Sequence, residues 1–326
     1  MRLPGLAWRL LRFRVAAMVW TFMLIGAAHP DGLPASWLAL LPAVLALGAS
    51  YVAATSANDL ADEGVDRINH PGDRARPLVS GDASRGDLRL LHACACAAAL
   101  ACAVPLGPLA VGVVAGSLAI GVAYSLPPLR LSYRTWLAPL ALGAAYVLVP
   151  YCLGALAAGR SPVSGDGLLA AALFALFLAR IVLKDYRDLP GDTAYGKPTL
   201  LRRFGSGVTC TISLCALAAG AVLLVTALHT PPLVAAALLS LLGGAAVLLR
   251  RLNGAEDGRA QQVAIGLGAR LGNGALLVVL AWLALGGEGA SEAARTAFAW
   301  LLAGLVGASV VALAARPEQV VIGYKG

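Results

Sequence analysis

The chain has 326 residues, 59% of them apolar and 13% charged, with a mean hydropathy of +0.79. That composition excludes an ordinary soluble domain, because most of the length is apolar runs near membrane-spanning size. The net charge of +8 would suggest nucleic acid in a soluble protein, but here the basic residues cluster between apolar runs and read as membrane orientation.

Met1–Arg14, with Arg2, Arg9, Arg12 and Arg14, is a short basic, amphipathic lead expected on the cytoplasmic surface. No small-residue cleavage site follows it and further spans do, so the next apolar run reads as a first retained helix. Apolar segments fall at 15–28, 36–57, 88–106, 108–126, 136–158, 167–184, 207–228, 231–249, 262–285 and 294–315, making ten candidate spans. Pro30, Pro42, Pro105, Pro139 and Pro150 interrupt or flank several of them, as membrane helices tolerate. Cys94, Cys96, Cys102, Cys152, Cys210 and Cys215 lie in apolar segments without metal-like pairing and are expected to be buried small side chains. The fold class is therefore all-α, a polytopic membrane bundle.

After the second span comes NDLADEGVDRINHPGDRARPLVSGDAS, Asn58–Ser84. On a helix, Asn58, Asp59, Asp62, Asp66 and Asn69 share a face about 100° wide, while Glu63 and Arg67 point elsewhere. Stacked carboxylates repel, so such a face suits a cation, and an oxygen-only ligand set suits Mg2+ with phosphate oxygens. A solvated acidic loop is the alternative. After the sixth span, Asp185, Asp188 and Asp192 lie within about 60° of one helical face. Pro190 and Gly191 are expected to loosen or end that helix before Asp192.

With the N-terminus inside, the loops after spans 2, 4, 6 and 8 carry Arg67, Arg74, Arg76, Arg85 and Arg89; Arg130 and Arg134; Lys184, Arg187, Lys197, Arg202 and Arg203; and Arg250, Arg251 and Arg259. The opposite loops hold Arg160 and Arg295, the latter offset by Glu288 and Glu292. Both termini and both acidic stretches thus fall on the cytoplasmic side, so the two ladders can form two walls of one metal–diphosphate site. The expected location is the inner or plasma membrane of a bacterial cell.

These residues resemble the UbiA superfamily of intramembrane prenyltransferases. Its NDxxDxxxD signature stands here as Asn58–Asp66, and its RPLxSG stretch as Arg76–Gly81. The second signature, DxxDxxxD followed by GxxT, is matched by Asp185, Asp188, Asp192 and Gly196–Thr199, and the loop after span 4 by Tyr124–Arg130. The resemblance covers about residues 10–285. Two departures stand out. Ser132 occupies the position of a lysine that usually follows the arginine in the loop after span 4, and there are ten spans where the family typically has nine. A single domain is expected, with 290–326 an added span and tail peripheral to the chemistry.

The resemblance implies a Mg2+-dependent enzyme that breaks the allylic C–O bond of a prenyl diphosphate and transfers the prenyl group to a small aromatic or related acceptor. Asn58, Asp62 and Asp66 would hold one ion and Asp188 and Asp192 the other, with Asp59 and Asp185 as ligands or supporting partners and Asn69 as a supporting partner. Arg76, Arg130 and Lys197 would contact phosphate oxygens, and Tyr124 would face the carbocation or the diphosphate. No catalytic histidine is expected; His70 alone sits in a motif stretch. A membrane terpene cyclase would share these motifs. A secondary transporter would need internal repeats and mid-membrane breaks, and only an echo of two ladders four spans apart is present.

Overall fold

The computed structural model describes residues 3–162, 164–255 and 257–320, so Met1 and Arg2 of the lead and the last six residues of the tail lie outside it. Among the described residues every regular element is helical. Helix α1 (Leu3–Leu10) is bent 69° from α2 (Phe13–Ala28), because Arg12 between them takes a left-handed conformation with φ 42°. The lead is therefore more than a surface helix. Leu6 and Leu10 are fully buried, packed with Val52, Leu78, Leu88 and Leu91, while Trp8 faces outward.

Helix α3 (Leu41–Asn69) has 29 residues, about 43 Å at the usual rise per residue and longer than a hydrocarbon core of about 30 Å. Its last turns carry the first acidic ladder. A short turn, α4 (Pro77–Ser80), precedes α5 (Arg85–Ala103), whose start is closed by a reciprocal Ser84–Asp87 capping box. Then come α6 (Pro108–Ser125), α7 (Leu137–Gly143) and α8 (Val149–Ala157), the last two joined through a π turn at Ala144–Leu148. Helix α9 (Ser164–Ile181) passes through one 3-10 turn into α10 (Asp185–Ala194). The bundle finishes with α11 (Leu200–Leu228), α12 (Pro232–Asn253), α13 (Gly258–Gly287) and α14 (Glu292–Ala314).

Among the described residues nine of these segments are long and apolar enough to cross a membrane, and the bent α1–α2 pair makes a tenth. The chain is an integral membrane protein. Its helices pack where small residues let backbones meet: a Cβ on Gly154 of α8 would lie 1.9 Å from the Met23 carbonyl oxygen of α2. One core joins α2 to α9, α11, α12 and α13, and a second joins α2 to α3, α5, α6 and α8. Helix α14 adds only Ala299 and Ala303 to the first core and packs against α13 and α12.

Two further sequence expectations are corrected. Pro190 and Gly191 do not end the second ladder's helix, since α10 continues through Asp192 to Ala194. The Gly191 N–H beside the proline is accepted by Asn69 Oδ1 at 2.6 Å, so a partner on α3 takes a donor where the helix ladder is weakened. Of the six cysteines only Cys210 is buried, and Cys94 and Cys215 lie exposed on the outside of the bundle. In a membrane protein the outer face is as apolar as the core, so apolar neighbours do not signal burial. The two basic residues on the side away from the ladders are held by the fold. Arg160 pairs with Asp166 at 2.9 Å, and Arg295 stacks on Trp282 at 3.7 Å.

Candidate active site

The site is built at the ladder ends of α3 and α10. Along α3 the backbone departs from helical geometry at Asp62 (φ −106°, ψ 16°), which turns the ladder's outer half. Asn58 donates from Nδ2 to Asp62 Oδ2 at 3.2 Å, and Asp66 accepts from Arg76. Asp59 turns the other way, to Arg12 at 2.7 Å and Arg76 at 3.5 Å. On α10, Asp185 pairs with Lys184 at 3.2 Å, and Asp188 with Arg187 at 3.0 Å and His70 at 3.4 Å. Asp192 is 1% exposed.

The two ladders meet. Lys197 Nζ lies 3.5 Å from Asp62 Oδ2 and 3.7 Å from Asp192 Oδ1, one cation between carboxylates of both walls. The left-handed Gly196 (φ 65°) turns the chain so that this lysine points back beneath α10. Thr135 Oγ1 donates to the Pro198 carbonyl at 2.6 Å, tying in the loop after α6. Burial and Lys184 work against the charge on Lys197, but Asp62, Tyr124 and Asp192 outweigh them and hold its pKa above the ordinary value. Arg76 has its pKa pulled below the ordinary value, first by burial and then by Arg12.

A cavity of about 240 Å³ opens between these walls. Asn58, Asp62, Asp66 and Asn69 line it from α3, Asp188 and Asp192 from α10, and Arg76, Tyr124 and Lys197 from the other motif stretches. Asp59, Asp185 and Arg130 do not line it. Asp185 faces a smaller pocket beside Thr135 and Thr199, while Arg130 stacks on Tyr133 at 3.8 Å and reaches Asp62 at 3.7 Å from outside. The deeper end is apolar and aromatic, with Val19, Leu47, Tyr51, Leu142 and Tyr146.

Sequence reasoning missed Arg12, Lys184, Tyr51 and Tyr146, all on the cavity wall, and the His70–Asp188 contact. Arg12 and Lys184 were legible only as topology charges, and nothing local distinguishes either tyrosine. Among the described residues no three carboxylates, histidines or cysteines converge on a point that could hold an ion. Asp62 Oδ1 and both Asp192 carboxylate oxygens are nevertheless buried without a hydrogen-bond partner. Mg2+ usually takes one or two protein carboxylates and completes its shell with water and phosphate oxygens, so this donor set fits it.

The profile of the UbiA prenyltransferase family matches residues 18–273. The homogentisate phytyltransferase of Synechocystis sp. is 32% identical over 201 residues, 57% of this chain and 62% of its own length. The chloroplastic chlorophyll synthase of Oryza sativa subsp. japonica is 28% identical over 156 residues, 45% of this chain and 40% of its own. The matches thus span less than two thirds of either curated relative. A UbiA homolog from Archaeoglobus fulgidus, solved bound to DMAPP and Mg2+, superposes with a TM-score of 0.57 and 19% identity over 97% of this chain and 98% of its own, a likeness of fold.

Proposed function

Because the chain belongs to the UbiA prenyltransferase family, we propose that it ionises a prenyl diphosphate in this cavity and transfers the prenyl group to a small aromatic or related acceptor. The observation that carries the reading is the meeting of the two walls: carboxylates from α3 and α10, buried and partly without hydrogen-bond partners, face one space that also holds Arg12, Arg76, Lys184 and Lys197. So many buried charges of both signs are costly in a structural bundle and suit a ligand that is itself a metal-bound polyanion.

Asn58, Asp62 and Asp66 would hold one Mg2+, and Asp188 and Asp192 the other. Bound there, the ions would neutralise diphosphate charge and so improve it as a leaving group. Arg76 and Lys197, which line the cavity, take phosphate oxygens, and Arg130 contributes from its rim. Asp59 is occupied by Arg12 and Asp185 by Lys184, which suits both to fixing the cations rather than to the first ring of ligands. Tyr124 faces the reacting end. Below it, Tyr51, Leu142 and Tyr146 keep water from the allylic carbocation until the acceptor carbon captures it and loses a proton. The polar end faces the cytoplasm, following the distribution of lysine and arginine. Helix α14 does not line the cavity and is peripheral to the reaction.

The test is incubation of the purified protein in detergent with Mg2+ and geranyl, farnesyl or geranylgeranyl diphosphate, with and without phenolic or quinonoid acceptors. Turnover that needs both Mg2+ and an acceptor, and stops with EDTA, supports the transferase. A cyclic hydrocarbon or terpene alcohol formed without acceptor would replace it with a cyclase.

A further inference from the structure

Rings close the deep end of the cavity. Tyr51 packs on Tyr146 with centroids 5.7 Å apart, Tyr146 on Phe177 at 5.9 Å, and Phe177 on Phe22 at 6.3 Å. The first two line the cavity, and the last two line a separate apolar cleft of about 60 Å³ between α2, α9, α11, α12 and α13. Beside them, Arg180 Nη1 of α9 reaches Met18 Sδ of α2 at 3.3 Å and Asn273 Oδ1 of α13 at 2.5 Å, tying the three helices together.

The wall is firm. Phe22 and Phe177 are 1% and 3% exposed, and their rings, like those of Tyr146 and Phe177, meet edge to face, a favoured geometry for aromatic pairs. The space in front of it is small: about 240 Å³ lies below the roughly 300–1,000 Å³ of pockets that enclose a drug-sized ligand. A diphosphate and an acceptor fill the polar end first, which leaves room for a short apolar tail.

Resting on the prenyl diphosphate reading above, we propose that Tyr146 and Phe177 form the stop that limits tail length, so that this site selects short prenyl diphosphates over long ones. Phe177 sits behind the cavity and determines specificity without touching the reacting atoms. Beyond it, the cleft is the space into which a longer tail would run if the ring were removed.

The experiment measures binding, which does not require an acceptor. Geranyl, farnesyl and geranylgeranyl S-thiolodiphosphates, slow-ionising analogues, are titrated calorimetrically into the full chain in detergent with Mg2+. The geranyl analogue should bind about tenfold or more tighter than the geranylgeranyl one. Phe177→Ala should narrow that ratio about tenfold, and Phe177→Leu, which keeps more of the packing, should shift it in the same direction. Adding Gly272→Leu to Phe177→Ala should restore the ratio, since Gly272 lines the cleft and a Cβ there meets no atom within 4 Å. Equal affinity for all three lengths in the wild type, or a Phe177 variant that weakens every length alike, overturns the stop. No binding at any length overturns the prenyl diphosphate reading itself.

Discussion

Replacing Lys197 with methionine keeps the length of the side chain and removes the charge between the two walls. Its Nζ stands 3.5 Å from Asp62 and 3.7 Å from Asp192, with the side chain 8% exposed. At an effective dielectric near 20, each attraction is worth about 4–5 kcal/mol before desolvation. Relief of lysine's own burial cancels part of that, and removing one partner of a buried pair costs a net of about 3–5 kcal/mol. The unfolding midpoint of Lys197→Met, followed by tryptophan fluorescence in detergent with EDTA, should therefore fall well below that of the wild type. Mg2+ supplies positive charge to the same carboxylates, so it should raise the variant's midpoint by more than it raises the wild type's. Turnover should fall about 10- to 100-fold with the loss of one charged phosphate contact. An unchanged midpoint without metal, together with an equal Mg2+ shift, would refute the view that Lys197 stands between the two walls as a stand-in for metal charge.

Asn69→Ala leaves the Gly191 N–H without its acceptor and should cost about 1–3 kcal/mol in unfolding measurements, whereas Asn69→Asp keeps an acceptor oxygen and should lose less. Arg12→Met leaves the 2%-exposed Asp59 with only the longer contact to Arg76 and should destabilise by about 3–5 kcal/mol in the same assay. Removing 290–326 should leave at least partial turnover of a prenyl diphosphate, because α14 packs mainly on α13 and α12 and does not line the cavity; complete loss in a folded truncation would place the last span in the catalytic core.

Much of the fold was legible because helix periodicity and span length are local properties. The faces carrying Asn58, Asp62 and Asp66, and Asp188 and Asp192, follow from spacing alone, and the structure turns both toward one cavity. What spacing could not reach was the choice among neighbours on a face. Asp59 and Asp185 share the ladders' pattern, yet Asp59 pairs with Arg12 from the inward-turned lead and Asp185 with Lys184 of the 3-10 turn before α10. The rule that proline ends a helix failed at Pro190 because the compensating acceptor, Asn69, lies 122 residues away in the chain. Arg12 was counted as a topology charge on a surface lead; its left-handed backbone, a consequence of how α1 packs on α3 and α5, sends it inward instead. The aromatic wall left no signal, since a phenylalanine in an apolar span looks the same whether it faces lipid, core or cavity.

The central claim is that both acidic walls act on one metal-bound diphosphate. It is tested most directly by titrating Mg2+ against prenyl diphosphate consumption in the wild type, Asp62→Ala and Asp188→Ala, each first checked for insertion and folding. Both variants should be folded and lose turnover at every Mg2+ concentration. Full activity in either one, with the wild-type Mg2+ dependence, would contradict the two-wall site.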